Sequence, residues 1–410
     1  MRMLGIVAGL ALVATPVAAQ TPVRGSAWTG SWASAQQIPE PNNALPPEKL
    51  TDATLRQVVH LSIGGPEMRI QVSNAFGKQP LRIDGVHVAY SADPASARIV
   101  QGSDHRVTFN GSDSVVVPAG ASYWSDPVNM AVRPLSSLAV TMYLPKAPAR
   151  ETSHPGSRAT SYVVQGDHLA DADMPDAFKV DHWFQLAGIS VETPGPAHAI
   201  IALGDSITDG HASTTNGNDR WTDFLAKRLQ AGATTRNLSV LNLGIGGNHL
   251  LTDGLGPNAL ARFNRDVLAQ PGVRYMIVLE GINDLGGLSR EKTTTQADHD
   301  ALVAHMIGAL QQIVERARAH GIKAIGGTIM PDGKSGYYHP GPMSEADRQK
   351  VNAWIRTPGH FDAVIDFDRI MRDPKHPGNL NPKYDSGDGL HPGPVGYKAM
   401  ADAISLSLFH

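Results

Sequence analysis

Two hydrophobic rhythms divide the chain. The segments Arg56–Ile63, Met68–Val72, Ile83–Ala89, Arg106–Phe109, Ser114–Val117, Leu138–Tyr143 and Trp183–Val191 are short, β-branched and roughly alternating, with Gly, Pro, Asn and Asp between them. Alternation sends successive side chains to opposite faces, so these read as strands of an antiparallel all-β sandwich or jelly roll. After the linker-like Thr193-Pro194-Gly195-Pro196 the rhythm changes. Apolar runs at Ala199–Leu203, Ser239–Leu243, Tyr275–Leu279, Lys323–Ile329 and Ala363–Phe367 alternate with helical patterns, which predicts an α/β layer on a parallel sheet. Leu302, Met306, Leu310, Ile313 and Ala317 recur at helical spacing, with Gly321 closing the helix. Ser344 followed by Asp347 resembles a capping box for a helix carrying Val351, Trp354 and Ile355.

These rhythms divide the chain into a β-rich part over 20–192, with an irregular Pro-, Asn- and Ser-rich lead-in to Pro46, and an α/β part over 197–410. Residues 1–19 read as a secretory signal peptide: a positive Met1-Arg2-Met3, an apolar Leu4–Val13, and small residues Val17-Ala18-Ala19 before a cut near Ala19/Gln20. The run is interrupted by Pro16 and is short of a membrane span, so a secreted or periplasmic protein without a stable membrane anchor is expected. The chain holds no cysteine, which excludes disulfides, thiolate metal sites and a cysteine nucleophile. A formal charge of -3 with no long Lys/Arg run argues against a nucleic-acid partner.

In a parallel sheet, residues just past the strand carboxyl ends share one edge, where ligands bind. Gly204-Asp205-Ser206-Ile207 follows the first α/β strand, Gly244-Ile245-Gly246-Gly247-Asn248 the second and Gly281-Ile282-Asn283-Asp284 the third, while Asp388-Gly389-Leu390-His391 lies beyond the fifth. Together they supply what acyl transfer needs. Ser206 offers a hydroxyl, His391 a base for its proton, and Asp388 a carboxylate to orient the imidazole. The N–H groups of Ser206 and Gly247 and the Asn283 amide offer donors for an oxyanion.

These four blocks, in this order, resemble the SGNH, or GDSL-type, hydrolase superfamily over about His198 to the C-terminus. The resemblance implies a flavodoxin-like three-layer α/β/α domain and a serine esterase with Ser206 as nucleophile and Asp388 and His391 as its partners. It further implies Ser206, Gly247 and Asn283 as oxyanion-hole donors, and no cofactor or metal. The β-rich part resembles the extra N-terminal domain of a secreted branch of this family. The substrate expected is a small-molecule or polysaccharide ester, with acetyl or short acyl esters of carbohydrates ahead of longer acyl or aryl esters.

Several features compete with this reading. Asp373-Pro374-Lys375-His376-Pro377-Gly378 repeats the Asp-x-x-His-Pro-Gly spelling of Asp388–Gly393. His391 is preferred because a terminal helix around Tyr397–Ala401 follows it directly, whereas His376 sits among Pro, Gly and Asn. His154 and His339 also precede Pro-Gly and are assigned to turn chemistry. Asp209, Asn248, Glu280 and Asp284 are assigned to structural hydrogen bonds. No His-Glu-x-x-His, calcium-loop or Gly-x-Ser-x-Gly pattern is present. Trp28, Trp32, Trp124 and Trp183 would suit a sugar-stacking platform in a binding protein, although aromatics in such strands are more often core.

Overall fold

A computed structural model describes residues 27–409 apart from Pro194 and Lys292. The signal-peptide reading falls outside the described residues.

The first half forms two main antiparallel sheets. One runs, in spatial order, Phe178–Val180, Ser161–Gln165, Ala53–His60, Ser137–Leu144, Gly85–Tyr90 and His105–Val107. The other runs Ala27–Ala33, Leu186–Thr193, Met68–Ser73 and Ser122–Trp124. Leu55, Val59, Val86, Val140 and Met142 of the first share one core with Ile70, Val72, Ile189 and Val191 of the second. Alternation over Arg56–Ile63 predicts a half-exposed strand; the strand formed is Ala53–His60, and seven of its eight residues are buried. The face turned away from the main core is covered too: Val58 packs with Ala97, Tyr162 and Met174, and buried Arg56 donates to the carbonyls of Ala97 at 2.8 Å and Asp171 at 2.7 Å. The single strand read at Ile83–Ala89 is two, because Asp84 separates Leu81–Ile83, paired with Val115–Val117, from Gly85–Tyr90 in the large sheet.

The second half is built on five parallel strands in the order Leu238–Gly244, His198–Gly204, Val273–Leu279, Lys323–Gly327, Ala363–Ile365. Only the first crossover moves one way along the sheet, and the following three move the other. With right-handed crossovers, that order puts their helices on opposite faces. The packing agrees: Trp221–Ala231 lies against Pro394–Ala403, while Gln296–Ala319 lies against Pro342–Arg356. This is the flavodoxin-like three-layer arrangement. Gly204 is opposite Gly244 on one side and Leu279 on the other, so three strands end at one level.

The helix of Leu302–Ala317 begins earlier than its apolar stripe, at Gln296, where Thr295 and Asp298 form a reciprocal capping box. The capping box read at Ser344 is not formed. That helix begins at Pro342, whose missing N–H and fixed φ suit the first helical position, and Ser344 and Asp347 lie buried inside it. Asp347 instead pairs with His299 of the neighbouring helix.

Candidate active site

The strand His198–Gly204 delivers Ser206 to the sheet edge through a tight turn. Asp205 caps the short helix Ser206–Asp209 by accepting from the Ile207 N–H at 2.8 Å. Ser206 is 8% exposed, and its Oγ lies 2.8 Å from His391 Nε2. His391 Nδ1 lies 2.6 Å from Asp388 Oδ2. A carboxylate only accepts, so Nδ1 carries the hydrogen and Nε2 is left to accept from the serine hydroxyl. Asp388 Oδ1 accepts the N–H groups of Leu390 at 2.9 Å and His391 at 2.8 Å. Burial would raise this carboxyl, but the bonds from His391 and these backbone groups prevail and hold it well below the usual carboxylate range.

His376 is not in this arrangement. It is exposed, its ring has no hydrogen-bond partner among the described residues, and Asp373 Oδ1 accepts from the Lys375 N–H at 2.9 Å.

The turn after Leu238–Gly244 carries Gly247 with φ +67°, a left-handed conformation that a side chain would strain. Among the described residues the N–H groups of Ser206 and Gly247 have no hydrogen-bond partner. Asn283 sits in the first turn of Ile282–Ser289, and its Nδ2 donates to the Asn248 carbonyl at 2.6 Å. That carbonyl can only accept, which fixes which end of the amide is nitrogen. Oδ1 accepts from the Tyr338 hydroxyl, and among the described residues one Nδ2 hydrogen is left without a partner. Burial pushes the Tyr338 phenol well above its usual range, so it remains a donor.

Beneath this edge lies a buried charge network. Arg262 donates to the Leu243 carbonyl at 2.6 Å and the Gly204 carbonyl at 3.0 Å, tying the ends of the first two strands together, and to Asn248 Oδ1 at 2.9 Å. It also pairs with Asp266 at 3.0 Å and Glu280 at 3.4 Å. Glu280 is raised by burial and by the neighbouring Asp205 carboxyl, and Asp205 itself is raised by burial to about 7. Asp284 accepts from the N–H groups of Leu250 at 2.9 Å and Leu251 at 3.1 Å, pinning the loop after Asn248.

His154 is not a turn residue. It is buried in the strand pair with Trp183–Phe184, and the Pro-Gly turn follows it. Its Nδ1 donates to the Ala35 carbonyl at 2.7 Å and its Nε2 lies 2.9 Å from Asp209 Oδ1, while Asp209 Oδ2 accepts the Gly246 N–H at 3.1 Å. A residue of the β-rich half thus holds the glycine turn that carries Gly247. His339, by contrast, directly follows the turn Gly336–Tyr338, with φ +52° and its N–H donating to the Ser335 carbonyl at 3.0 Å.

Sequence reading missed Tyr338, His154 and Arg262, and also Arg158 and His211 beside His391. Only His211, five residues after Ser206, carried a usable signal: it follows the Ser206 turn so closely that it has to share its edge. The four tryptophans do not form a platform. Trp32 and Trp183 are buried edge to face, with centroids 4.9 Å apart, and Trp28 and Trp124 hold the Arg69 guanidinium at 4.6 and 4.5 Å.

His211, Asp388 and His391 each bring one ligand-type atom within 4.8 Å of the others. Asp388 and His391 already spend those atoms on each other, and His211 Nδ1 lies 3.0 Å from Arg158 Nη2. A metal would have to displace these bonds.

No helix among the described residues is long and apolar enough to cross a membrane. No curated protein matches the chain. Among solved structures similar to it are a GDSL-like lipase from Bacteroides thetaiotaomicron VPI-5482, 20% identical, covering 51% of this chain and 87% of that one at a TM-score of 0.38. Another is an acetylxylan esterase from Geobacillus stearothermophilus, also 20% identical, covering 51% of this chain and 93% of that one at a TM-score of 0.38. Residues 202–399 match the GDSL-like Lipase/Acylhydrolase family. That segment holds all four sequence blocks whole; residues 202–399 are a GDSL-like lipase/acylhydrolase domain, and through it the chain is a carboxylic ester hydrolase.

Proposed function

We propose that the chain is a serine esterase that works through an acyl-enzyme on Ser206 and acts on acetyl or short acyl esters of carbohydrates or small alcohols. The observation that carries this reading is the directed relay from Ser206 Oγ through His391 to Asp388, with contacts of 2.8 and 2.6 Å.

In this mechanism His391 Nε2 takes the Ser206 proton as Oγ attacks the ester carbonyl carbon. Asp388, held ionised, stabilises the imidazolium. The carbonyl oxygen becomes an oxyanion that accepts from the Ser206 and Gly247 N–H groups and the free hydrogen of Asn283 Nδ2. Collapse breaks the bond to the alcohol, which leaves with the proton from His391 Nε2. Water then enters, loses a proton to His391 and attacks the acyl carbon. The acid departs as Ser206 recovers its proton, so no cofactor is consumed. We further propose that the β-rich and α/β halves are the two domains of a secreted or periplasmic protein whose leader ends near Ala19/Gln20.

The test is a chain-length series of p-nitrophenyl esters run beside acetylated xylan with acetate release measured, for wild type and Ser206→Ala. The variant is expected to lose about 10⁴-fold or more in kcat with its melting temperature kept. A folded variant retaining a tenth of the wild-type rate overturns the reading. So does a serine-directed organophosphonate whose adduct maps by mass spectrometry to another residue.

A further inference from the structure

The base that removes the serine proton later returns it to the departing alcohol, so the alcohol half of a bound ester lies on the His391 side of Ser206. Side chains packed on His391 therefore line that half of the site. One of them is His211, whose ring centroid is 4.1 Å from that of His391 at a 41° tilt. Its backbone N–H donates to the Ser206 carbonyl at 2.8 Å, which ties it to the nucleophile turn.

Arg158, from the β-rich half, reaches the same place, with Nη2 3.0 Å from His211 Nδ1. A guanidinium has no acceptor, so His211 Nδ1 must accept and the neutral ring carries its hydrogen on Nε2. Burial, then the nearby His391 and Arg158, depress the His211 pKa to about 4, so the ring stays neutral through the imidazole range. The alcohol side therefore presents a guanidinium and an imidazole N–H, both donors.

This placement is held firmly. Arg220 Nη2 donates to the Ser157 carbonyl, the Asn216 N–H donates to the Arg158 carbonyl at 2.9 Å, and the Thr160 N–H donates to Asn216 Oδ1 at 2.8 Å. Arg158, Ala212 and Asn216 all lie in the left-handed region, with φ of +48°, +64° and +63°. None is glycine, and such conformations persist where the surroundings enforce them, commonly at binding sites. Arg158 Nε is buried without a partner among the described residues.

We propose that Arg158 and His211 form the subsite for the alcohol half of the ester, and that this subsite takes a hydroxyl-rich alcohol, namely a sugar carrying the acyl group. The inference rests on His391 being the base of a serine esterase. A sugar's hydroxyl and ring oxygens accept from these donors, whereas a fatty alcohol would leave them without partners. A site built to hydrogen-bond its substrate discriminates strongly against an analogue that lacks the partner atoms.

The experiment compares two acetates that share an acyl group and a poor, alkoxide-type leaving group: a methyl xyloside monoacetate and hexyl acetate. Wild type is expected to prefer the sugar ester in kcat/KM. Arg158→Asn suits the left-handed backbone and leaves the main-chain clasp in place, and His211→Ala serves as a second variant. Each is expected to lose at least tenfold more on the sugar acetate than on hexyl acetate, the loss concentrated in KM, with melting temperature within a few degrees of wild type. An equal loss on both esters overturns the subsite, since the pair would then act only through His391. No loss on either overturns it as well. A wild type that hydrolyses p-nitrophenyl acetate but not the sugar acetate overturns the subsite alone, whereas one that cleaves no ester refutes the serine-esterase reading and takes this inference with it.

Discussion

The Tyr338 hydroxyl is the strongest point at which to probe the oxyanion side, because it touches none of the three groups in the serine relay. It donates to Asn283 Oδ1, while Asn283 Nδ2 is anchored on the Asn248 carbonyl. Tyr338→Phe removes one of the two bonds that orient the amide and leaves a buried oxygen without its donor. The ring itself stays put: it packs on Gly286, where an added Cβ would lie 2.3 Å from the tyrosine Cδ1. The orphaned oxygen is expected to cost about 1–3 kcal/mol of folding stability. For catalysis the bound is the whole Asn283 contribution, about 10²–10³ in kcat for one oxyanion donor. Losing one orienting bond, about 1–1.4 kcal/mol, amounts to a roughly 5–10-fold fall in kcat with KM little changed. The assay is steady-state hydrolysis of p-nitrophenyl acetate by wild type, Tyr338→Phe, Asn283→Ala and the double variant, each checked by thermal melt. Because Tyr338 acts through Asn283, it should matter little once the amide is gone. A kcat for Tyr338→Phe equal to wild type, or the same fractional loss in the Asn283→Ala background, would refute the argument.

His391→Ala is expected to be nearly inactive and His376→Ala close to wild type in the same assay; the reverse result would move the base to the Asp373–His376 pair. Burial raises Glu151 to about 7 from an ordinary 4.5, so from about pH 4.5 to 7 the folded chain keeps a proton that the unfolded chain has released. That contribution is present below pH 4.5 and is lost as pH rises to 7. Glu151→Gln should therefore melt above wild type at pH 8 and converge with it near pH 4.5, as read by circular dichroism; a constant offset across that range would contradict it.

The parallel sheet was readable because its central strands are buried on both faces, which makes Ala199–Leu203 and Tyr275–Leu279 continuous apolar runs. The meeting of the proposed site's residues was readable for a related reason: Ser206, Gly247 and Asn283 each closely follow a strand, so local order in the sequence becomes proximity at one edge. Tyr338, Arg158 and His154 lack that link. Tyr338 is 55 residues from Asn283, and His154 is 55 residues from Asp209, in a part of the chain with a different rhythm. Arg262 is a cation in a short helix with nothing local to mark it as buried, because what buries it is the convergence of two strand ends. Helix starts failed for another reason. A Ser-x-x-Asp spelling at Ser344 competes with Pro342, and the proline's fixed φ wins.

The seam between the halves bears on how such a protein can be cut and recombined. Ala33 and Ala35 from the start of the β-rich part lie in the hydrophobic core of the α/β layer, Gln37 Nε2 donates to the Leu255 carbonyl at 2.7 Å, and His154 grips Asp209. The break in composition near residue 195 is thus a poor place for scissors. A fragment starting there would keep Ser206, Asp388 and His391 yet shed the supports of its glycine turn and expose apolar core. Grafting a foreign β-domain onto it would fail for the same reason unless the graft brought equivalents of these contacts. In this chain the two halves are therefore to be engineered as a matched pair.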